Sequence, residues 1–174
     1  MCVCGEKWIK VERRLNRRSA INHIVEHMFL GQYQHNIDEK GRMTIPARYR
    51  DLLAAQGAYV TLGFDQNLVV LTVPFFEQVS KRVNRMSMTD HRARLLKRLI
   101  FSNAELVILD KAGRILIPQF LREAVHLNSE AVVVGAGDYF EIWSSEFWSE
   151  QTILMQDNEK DAQSFMDLDL SLGE

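Results

Sequence analysis

A mainly β protein with short helices, an α+β chain built from two tandem copies of one unit, is the fold class this sequence predicts. Three observations carry the prediction. Asp38–Asp51 reads DEKGRMTIPARYRD and Asp110–Glu123 reads DKAGRILIPQFLRE, the same pattern at an offset of 72. Under that offset, without a gap, Asp38, Gly41, Arg42, Ile45, Pro46 and Arg50 fall on Asp110, Gly113, Arg114, Ile117, Pro118 and Arg122, and the register persists at Phe29/Phe101, Val60/Val132, Gly63/Gly135 and Phe75/Phe147. The runs flanking each box are short, β-rich and separated by turn residues. A duplication decides the architecture before any local assignment does, and here each copy is too small to bury much apolar surface alone.

The first copy opens with an alternating strand, Gln32–Ile37, that runs into D-x-x-G-R. In that turn Asp38 folds its carboxylate onto nearby backbone N–H groups and Gly41 supplies a positive φ. The next strand, Arg42–Ile45, ends at Pro46, which lacks a donor and opens a helix at its first turn over Ala47–Gln56. Strands Ala58–Phe64 and Asn67–Val73 follow about Asp65 and Gln66. Phe75, Val79 and Val83 then recur at helical spacing in Pro74–Arg85, and Thr89 or Asp90 caps a second helix with a Leu95, Leu96, Leu99, Ile100 stripe. These two are expected to form an antiparallel pair bridging the copies. The second copy repeats the order: Glu105–Leu109, a turn with Asp110 and Gly113, Arg114–Ile117, Pro118, a helix over Gln119–Leu127, then strands Ala131–Gly135 and Tyr139–Trp143 about Gly137 and Asp138. Phe147, Trp148 and Leu154 mark a closing helix and are expected in the core or in subunit contacts.

With 47% apolar residues in 174 positions there is material for one ordinary core. No apolar run approaches the roughly 20 residues that span a bilayer, and the basic N-terminus lacks a following apolar signal region; a soluble, cytoplasmic protein is expected. The net charge of −2 conceals a gradient: residues 1–27 carry six basic and three acidic side chains, 28–150 carry fourteen of each, and 151–174 hold one Lys against six acids. For nucleic acid the place where Lys and Arg cluster matters more than the sum.

Lys40, Arg42, Arg48 and Arg50 surround the first turn, and Lys111, Arg114 and Arg122 the second. Alternate strand residues share a face, so with Met43 and Ile45 buried, Arg42 shares the exposed face with Thr44 and is expected to reach outward. The competing reading is that Asp38–Arg42, or Arg50–Asp51, are ion pairs that only tie the turn down. A mixed arrangement is favoured, with Asp38 ordering the turn and Arg42 projecting from it. Two such turns form basic β-ribbons suited to successive major grooves. Around the Leu95 stripe, Arg92, Arg94, Lys97 and Arg98 read as a solvated helix face in preference to a DNA contact.

No catalytic constellation is present: no Ser-His-Asp or Cys-His order, no metal-binding H-E-x-x-H and no phosphate loop, and the duplicated carboxylates each sit beside an Arg. An enzyme would need Asp38 and Asp110 paired with each other. Cys2, Cys4, His23 and His27 do not have zinc-finger spacing, and His35 reads as a polar strand residue. Neither metal nor cofactor is expected. Residues 1–27 read as a leader translated from an upstream start, the alternative being a basic arm that uses Arg13, Arg14, Arg17 and Arg18. The acidic tail 151–174 reads as disordered, with Phe165, Met166, Leu168, Leu170 and Leu172 set among acids as a candidate docking element.

The segments MFLGQYQHNIDEKGRMTIPARYRDLL from Met28, LDKAGRILIPQFLREAVHL from Leu109 and VVVGAGDYFEIWS from Val132 resemble the MraZ family of bacterial transcriptional regulators, whose chains hold two AbrB-like domains of the SpoVT/AbrB superfamily. The resemblance covers roughly Met28 to Glu150; residues 1–27 precede the family's start, and the part after Gln151 matches poorly. It implies a swapped-hairpin β-barrel in which the repeats interleave as a pseudo-dimer, with repeat 1 over 28–85, a connecting helix over 86–100 and repeat 2 over 101–150. It further implies ring-like homo-oligomers and binding of double-stranded DNA at direct repeats upstream of the division and cell-wall gene cluster, in the cytoplasm and nucleoid. DNA contacts are then expected from Arg42, Lys40, Arg48, Arg114 and Lys111, turn ordering from Asp38, Gly41, Asp110 and Gly113, and no membrane or small-molecule substrate. The alternative is a ring-forming scaffold that binds a protein partner instead of DNA.

Overall fold

The computed structural model describes residues 28–156. Strands β1 (Gln32–Asn36), β2 (Arg42–Thr44), β3 (Ala58–Leu62) and β4 (Leu68–Thr72) come from the first copy, and β5 (Glu105–Val107), β6 (Arg114–Leu116), β7 (Glu130–Gly135) and β8 (Tyr139–Ser144) from the second. Helices α1 (Ala47–Ala54), α2 (Val73–Asn84), α3 (His91–Ser102), α4 (Gln119–Ala124) and α5 (Ser145–Gln156) fill the gaps.

Neither copy makes a sheet of its own. One antiparallel sheet has the order β1-β7-β8-β4-β3-β5 and a second is the ribbon β2-β6. β1 of the first copy pairs only with β7 of the second, His35 opposite Ala131, and β5 of the second pairs only with β3 of the first, Val107 opposite Ala58. The central join, β4 to β8, sets Val70 against Phe140. Both sheets are open, which corrects the closed barrel implied by the resemblance. Pro46 and Pro118 follow three-residue strands that cannot extend a ladder past them, so the ribbon meets the larger sheet through the isolated Ile37–Met43 bridge.

The alternation of β2 and β6 is what closes the core. Met43, Ile45, Ile115 and Ile117 are all at most 1% exposed, whereas Arg42, Thr44 and Arg114 are half-buried on the opposite face. Each such fully buried aliphatic contributes on the order of 1.5–3 kcal/mol. Behind them Phe29, Tyr49 and Phe140 pack with ring centroids 5.0–5.3 Å apart. The Tyr49 hydroxyl donates to the Leu30 carbonyl at 2.9 Å, and burial pushes its pKa up to about 12.

The outer helices depart from expectation in ways that packing explains. Thr72 caps α2, its hydroxyl accepting from Phe75 N–H at 3.4 Å. Of the expected positions α2 buries Val83, but its buried aromatic is Phe76 and not Phe75, because Phe76 stacks on Tyr59 of β3 at 4.0 Å and meets Phe101 edge-on. Asp90 caps α3 through Arg92 N–H at 2.8 Å, yet the expected stripe is only partly covered: Leu95 stays 50% exposed and Ala93 is the buried residue. In place of a clean apolar seam, Arg94 donates to the carbonyls of Met88 and Thr89, Lys97 to that of Met86, and Thr61 to that of Ile100. In α5, Phe147 and Trp148 are half-buried and Leu154 is exposed, so none of the three expected in the core or in subunit contacts is fully buried; the helix packs on β7 and β8, Phe147 edge-on to His126 and Trp148 against Trp143.

The N-terminal extension with Cys2, Cys4, His23, His27 and Arg13 to Arg18, and the tail from 157 to 174, lie outside the described residues. Among the described residues no helix is long and apolar enough to cross a membrane.

Candidate nucleic-acid interface

Both D-x-x-G-R boxes fold into the same turn, and the Asp organises it. Asp38 divides its oxygens: Oδ1 accepts Lys40 N–H at 3.0 Å and Arg42 N–H at 2.9 Å, while Oδ2 accepts Arg42 Nε at 2.8 Å and Nη2 at 2.7 Å. Asp110 does likewise with Ala112 N–H (2.9 Å), Arg114 N–H (3.0 Å), Arg114 Nε (2.8 Å) and Nη2 (2.7 Å). Hydrogen bonds to the charged form hold a carboxyl down. Asp38 is lowered chiefly by the Arg42 backbone N–H and then by the Arg42 side chain; Asp110 is lowered first by the Arg114 side chain, which is itself raised by that bond. Backbone bonds Gly41 N–H to Asp38 C=O (2.8 Å) and Gly113 N–H to Asp110 C=O (2.9 Å) close the turns, with φ of 79° at Gly41 and 73° at Gly113.

The copies interlock at these turns. Arg50 of the first copy lies over Gly113 of the second and Arg122 of the second over Gly41 of the first, so a Cβ would sit 2.6 Å from Arg50 Nε or 2.9 Å from Arg122 Nε. Each arginine also donates from Nε to the isoleucine before the proline of its own copy, Arg50 to the Ile45 carbonyl (2.9 Å) and Arg122 to that of Ile117 (3.1 Å). Ile45 N–H donates to the Gly113 carbonyl and Ile117 N–H to that of Gly41, both at 2.9 Å. The offset placed Arg50 and Arg122 on each other in sequence; that each would cover the other copy's turn is a tertiary fact with no local signal.

Arg42 stands on the outer face, as strand parity requires, but tied to the Asp that orders the turn. Its side chain is 34% exposed. Arg50 does not pair with Asp51. The register sets Arg42 opposite Leu116 and Thr44 opposite Arg114, so both box arginines rise from one side of the ribbon. They are not equivalent, since Arg114 Nη1 also lies 4.0 Å from Asp38. Lys40, Arg48 and Lys111 are exposed around the turns, and no ion pair engages them among the described residues.

His35 is half-buried on β1, held below the usual imidazole range by burial and then by Arg50, with Nε2 unpartnered. Among the described residues no group of three His, Cys, Asp or Glu is placed to hold a metal. A cavity of about 320 Å³ between the β3–β4 hairpin and α2, lined by Leu62, Phe64, Phe75, Val79 and Ile100 among others, shares no residue with either turn.

A family model described as "MraZ protein, putative antitoxin-like" matches the chain twice, over residues 28–99 and 100–168. The chain belongs to the MraZ family. The second MraZ match runs to 168, so the likeness persists beyond Gln151, where it was expected to fade. Curated relatives named "Transcriptional regulator MraZ" include that of Herpetosiphon aurantiacus, 46% identical over 127 residues that make up 73% of this chain and 87% of the relative. That of Roseiflexus castenholzii is 43% identical over 131 residues, 75% of this chain and 91% of the relative. That of Finegoldia magna is 38% identical over 144 residues, 82% of this chain and all of the relative. These MraZ proteins are named as regulators and not as enzymes.

Proposed function

We propose that this chain is a cytoplasmic, nucleoid-associated transcriptional regulator that binds double-stranded DNA through the β2–β6 ribbon. The observation that carries the reading is the pair of box arginines, Arg42 and Arg114, rising from one face of an antiparallel ribbon beside the exposed Lys40, Lys111 and Arg48. A two-stranded ribbon fits the major groove, and an arginine edge reads guanine there while lysines neutralise phosphates. Asp38 holds Arg42 by Nε and Nη2, which leaves Nη1 for DNA; the corresponding nitrogen of Arg114 faces Asp38. Arg42 is accordingly the principal base contact, Arg114 its weaker counterpart, and Lys40, Lys111 and Arg48 are phosphate contacts.

The finer reading takes the interleaved copies, 28–85 and 101–150 about a connecting helix at 86–100, as an AbrB-like swapped-hairpin pseudo-dimer. Ring-like homo-oligomers would then set several ribbons against direct repeats upstream of the division and cell-wall gene cluster. Repeated engagement multiplies modest single-ribbon affinities. A titration of the full chain against duplex DNA from upstream of its own gene, over a salt series, tests this. Preference for that DNA over a shuffled duplex, with affinity falling steeply with salt, is the expected result; equal and salt-insensitive binding of both duplexes would overturn it.

A further inference from the structure

The two copies share a backbone, but not an outer surface. At the 72-residue offset Gln34, Asn36, Thr44 and Arg48 of the first copy correspond to Leu106, Ile108, Leu116 and Phe120 of the second. The polar set is what solvent calls for. The apolar set is exposed as well, at 50, 70, 56 and 44%, Leu116 standing open where its counterpart Thr44 is half-buried. Leu106 and Ile108 share one side of β5 and its continuation, and the Asp110 N–H to Arg114 C=O bond sets a hairpin register in which Ile108 lies opposite Leu116. Phe120 follows on α4, four residues on. Four large apolar side chains replacing four polar ones at equivalent places form a patch that needs a cover. Two basic side chains border it: Arg42, paired with Asp38, lies directly across the ribbon from Leu116, and Lys111, in no ion pair among the described residues, is exposed in the adjoining turn.

We propose that the cover is this chain's own C-terminal segment. Residues 157–174 hold six acids and one Lys, and Met166, Leu168, Leu170 and Leu172 alternate with Asp167, Asp169 and Ser171. Laid out as a strand, that run has one apolar and one acidic side, which matches an apolar patch bordered by two basic side chains. The reach suffices: the twelve residues from Gln156 to Leu168 extend up to about 40 Å, against a radius of gyration of roughly 14 Å for a folded body of this size. Docked there, the tail holds its acids beside Arg42 and Lys111, where they repel phosphates. The segment is thus a built-in competitor of DNA, an inference that rests on the ribbon being the DNA surface only for its regulatory half.

The test uses the full chain with the photo-crosslinking residue p-benzoylphenylalanine at position 170, without DNA. Cross-links mapped by mass spectrometry to residues 106–120 are expected, and their loss in the Ile108→Asp, Leu116→Asp variant, whose exposed positions leave the melting transition in place. Cross-links elsewhere, at the Phe64–Phe75 cavity for instance, none at all, or their survival in that variant would overturn the docking. In a second arm, Leu168→Ser, Leu170→Ser and Leu172→Ser together should tighten binding to the upstream duplex, by about 10-fold if the tail is docked nine-tenths of the time. Unchanged affinity would overturn the competition, and failure of the parent chain to bind DNA would refute the ribbon reading without touching the cross-link result.

Discussion

Replacing Gly113 by alanine puts a methyl group where Arg50 of the other copy already lies. Two costs add. At φ 73° an L side chain is in the left-handed region, worth about 1–2 kcal/mol, and the new Cβ would sit 2.6 Å from Arg50 Nε, so the guanidinium must move. That movement weakens its 2.9 Å bond to the Ile45 carbonyl, and for a half-buried charged donor about 1 kcal/mol of the usual range is at stake. The sum is roughly 2–3 kcal/mol. For a chain of this size each kcal/mol moves the melting temperature by about 3–5 °C, so a fall of about 6–15 °C is expected by calorimetry. Gly41→Ala, with its Cβ 2.9 Å from Arg122, should fall slightly less. In Arg50→Ala the bond is already gone, so Gly113→Ala should cost less in that background than in the parent. A melting temperature within about 3 °C of the parent, or strict additivity, would refute the interlock.

Because β1 pairs only with β7 and β5 only with β3, neither 28–85 nor 89–150 expressed alone should give a dispersed NMR spectrum or a cooperative melt; either doing so would contradict the shared sheet. The lowered carboxyls of Asp38 and Asp110 contribute stability that is present above their ordinary value of 3.8 and is lost as pH falls through their lower folded values. Denaturant midpoints should therefore drop below about pH 4, and drop less in the Asp38→Asn, Asp110→Asn variant. At the alkaline end the raised Tyr49 gives the opposite sign, stability present below 10 and lost as pH rises through about 12. Tyr49→Phe should cost about 0.5–1.5 kcal/mol for the lost bond to Leu30, measured by chemical denaturation at neutral pH.

What was legible in the chain was local and periodic. The duplicated D-x-x-G-R-x-x-I-P box predicts its own turn, because an Asp followed three residues later by Gly has few other uses for its carboxylate and its φ. Strand parity placed Met43 and Ile45 inside, and Pro46 and Pro118 ended their strands within a residue of the expected point. Partner choice was not legible: β-pairing between copies looks the same in sequence as pairing within them, and so Arg50 and Arg122 read as neighbours of their own turns. Phe75 and Phe76 are adjacent aromatics, and only Tyr59 on a separate strand decides which is buried. The Arg42–Asp38 pair stood as an open alternative because parity says which side a residue occupies and nothing about what it holds there.

The measurement that bears most directly on the account is the affinity of Arg42→Ala and Asp38→Asn for duplex DNA from upstream of the gene, across a salt series. Arg42→Ala should weaken binding roughly 10- to 100-fold and lower the salt slope by about 0.9 for each ribbon engaged, since a cation leaves the interface. Asp38→Asn should raise affinity for any duplex while eroding preference for the upstream one, because Arg42 loses the carboxylate that orients it. Arg42→Ala binding indistinguishable from the parent, with an unchanged melt, would contradict the claim that this ribbon is the DNA-reading surface.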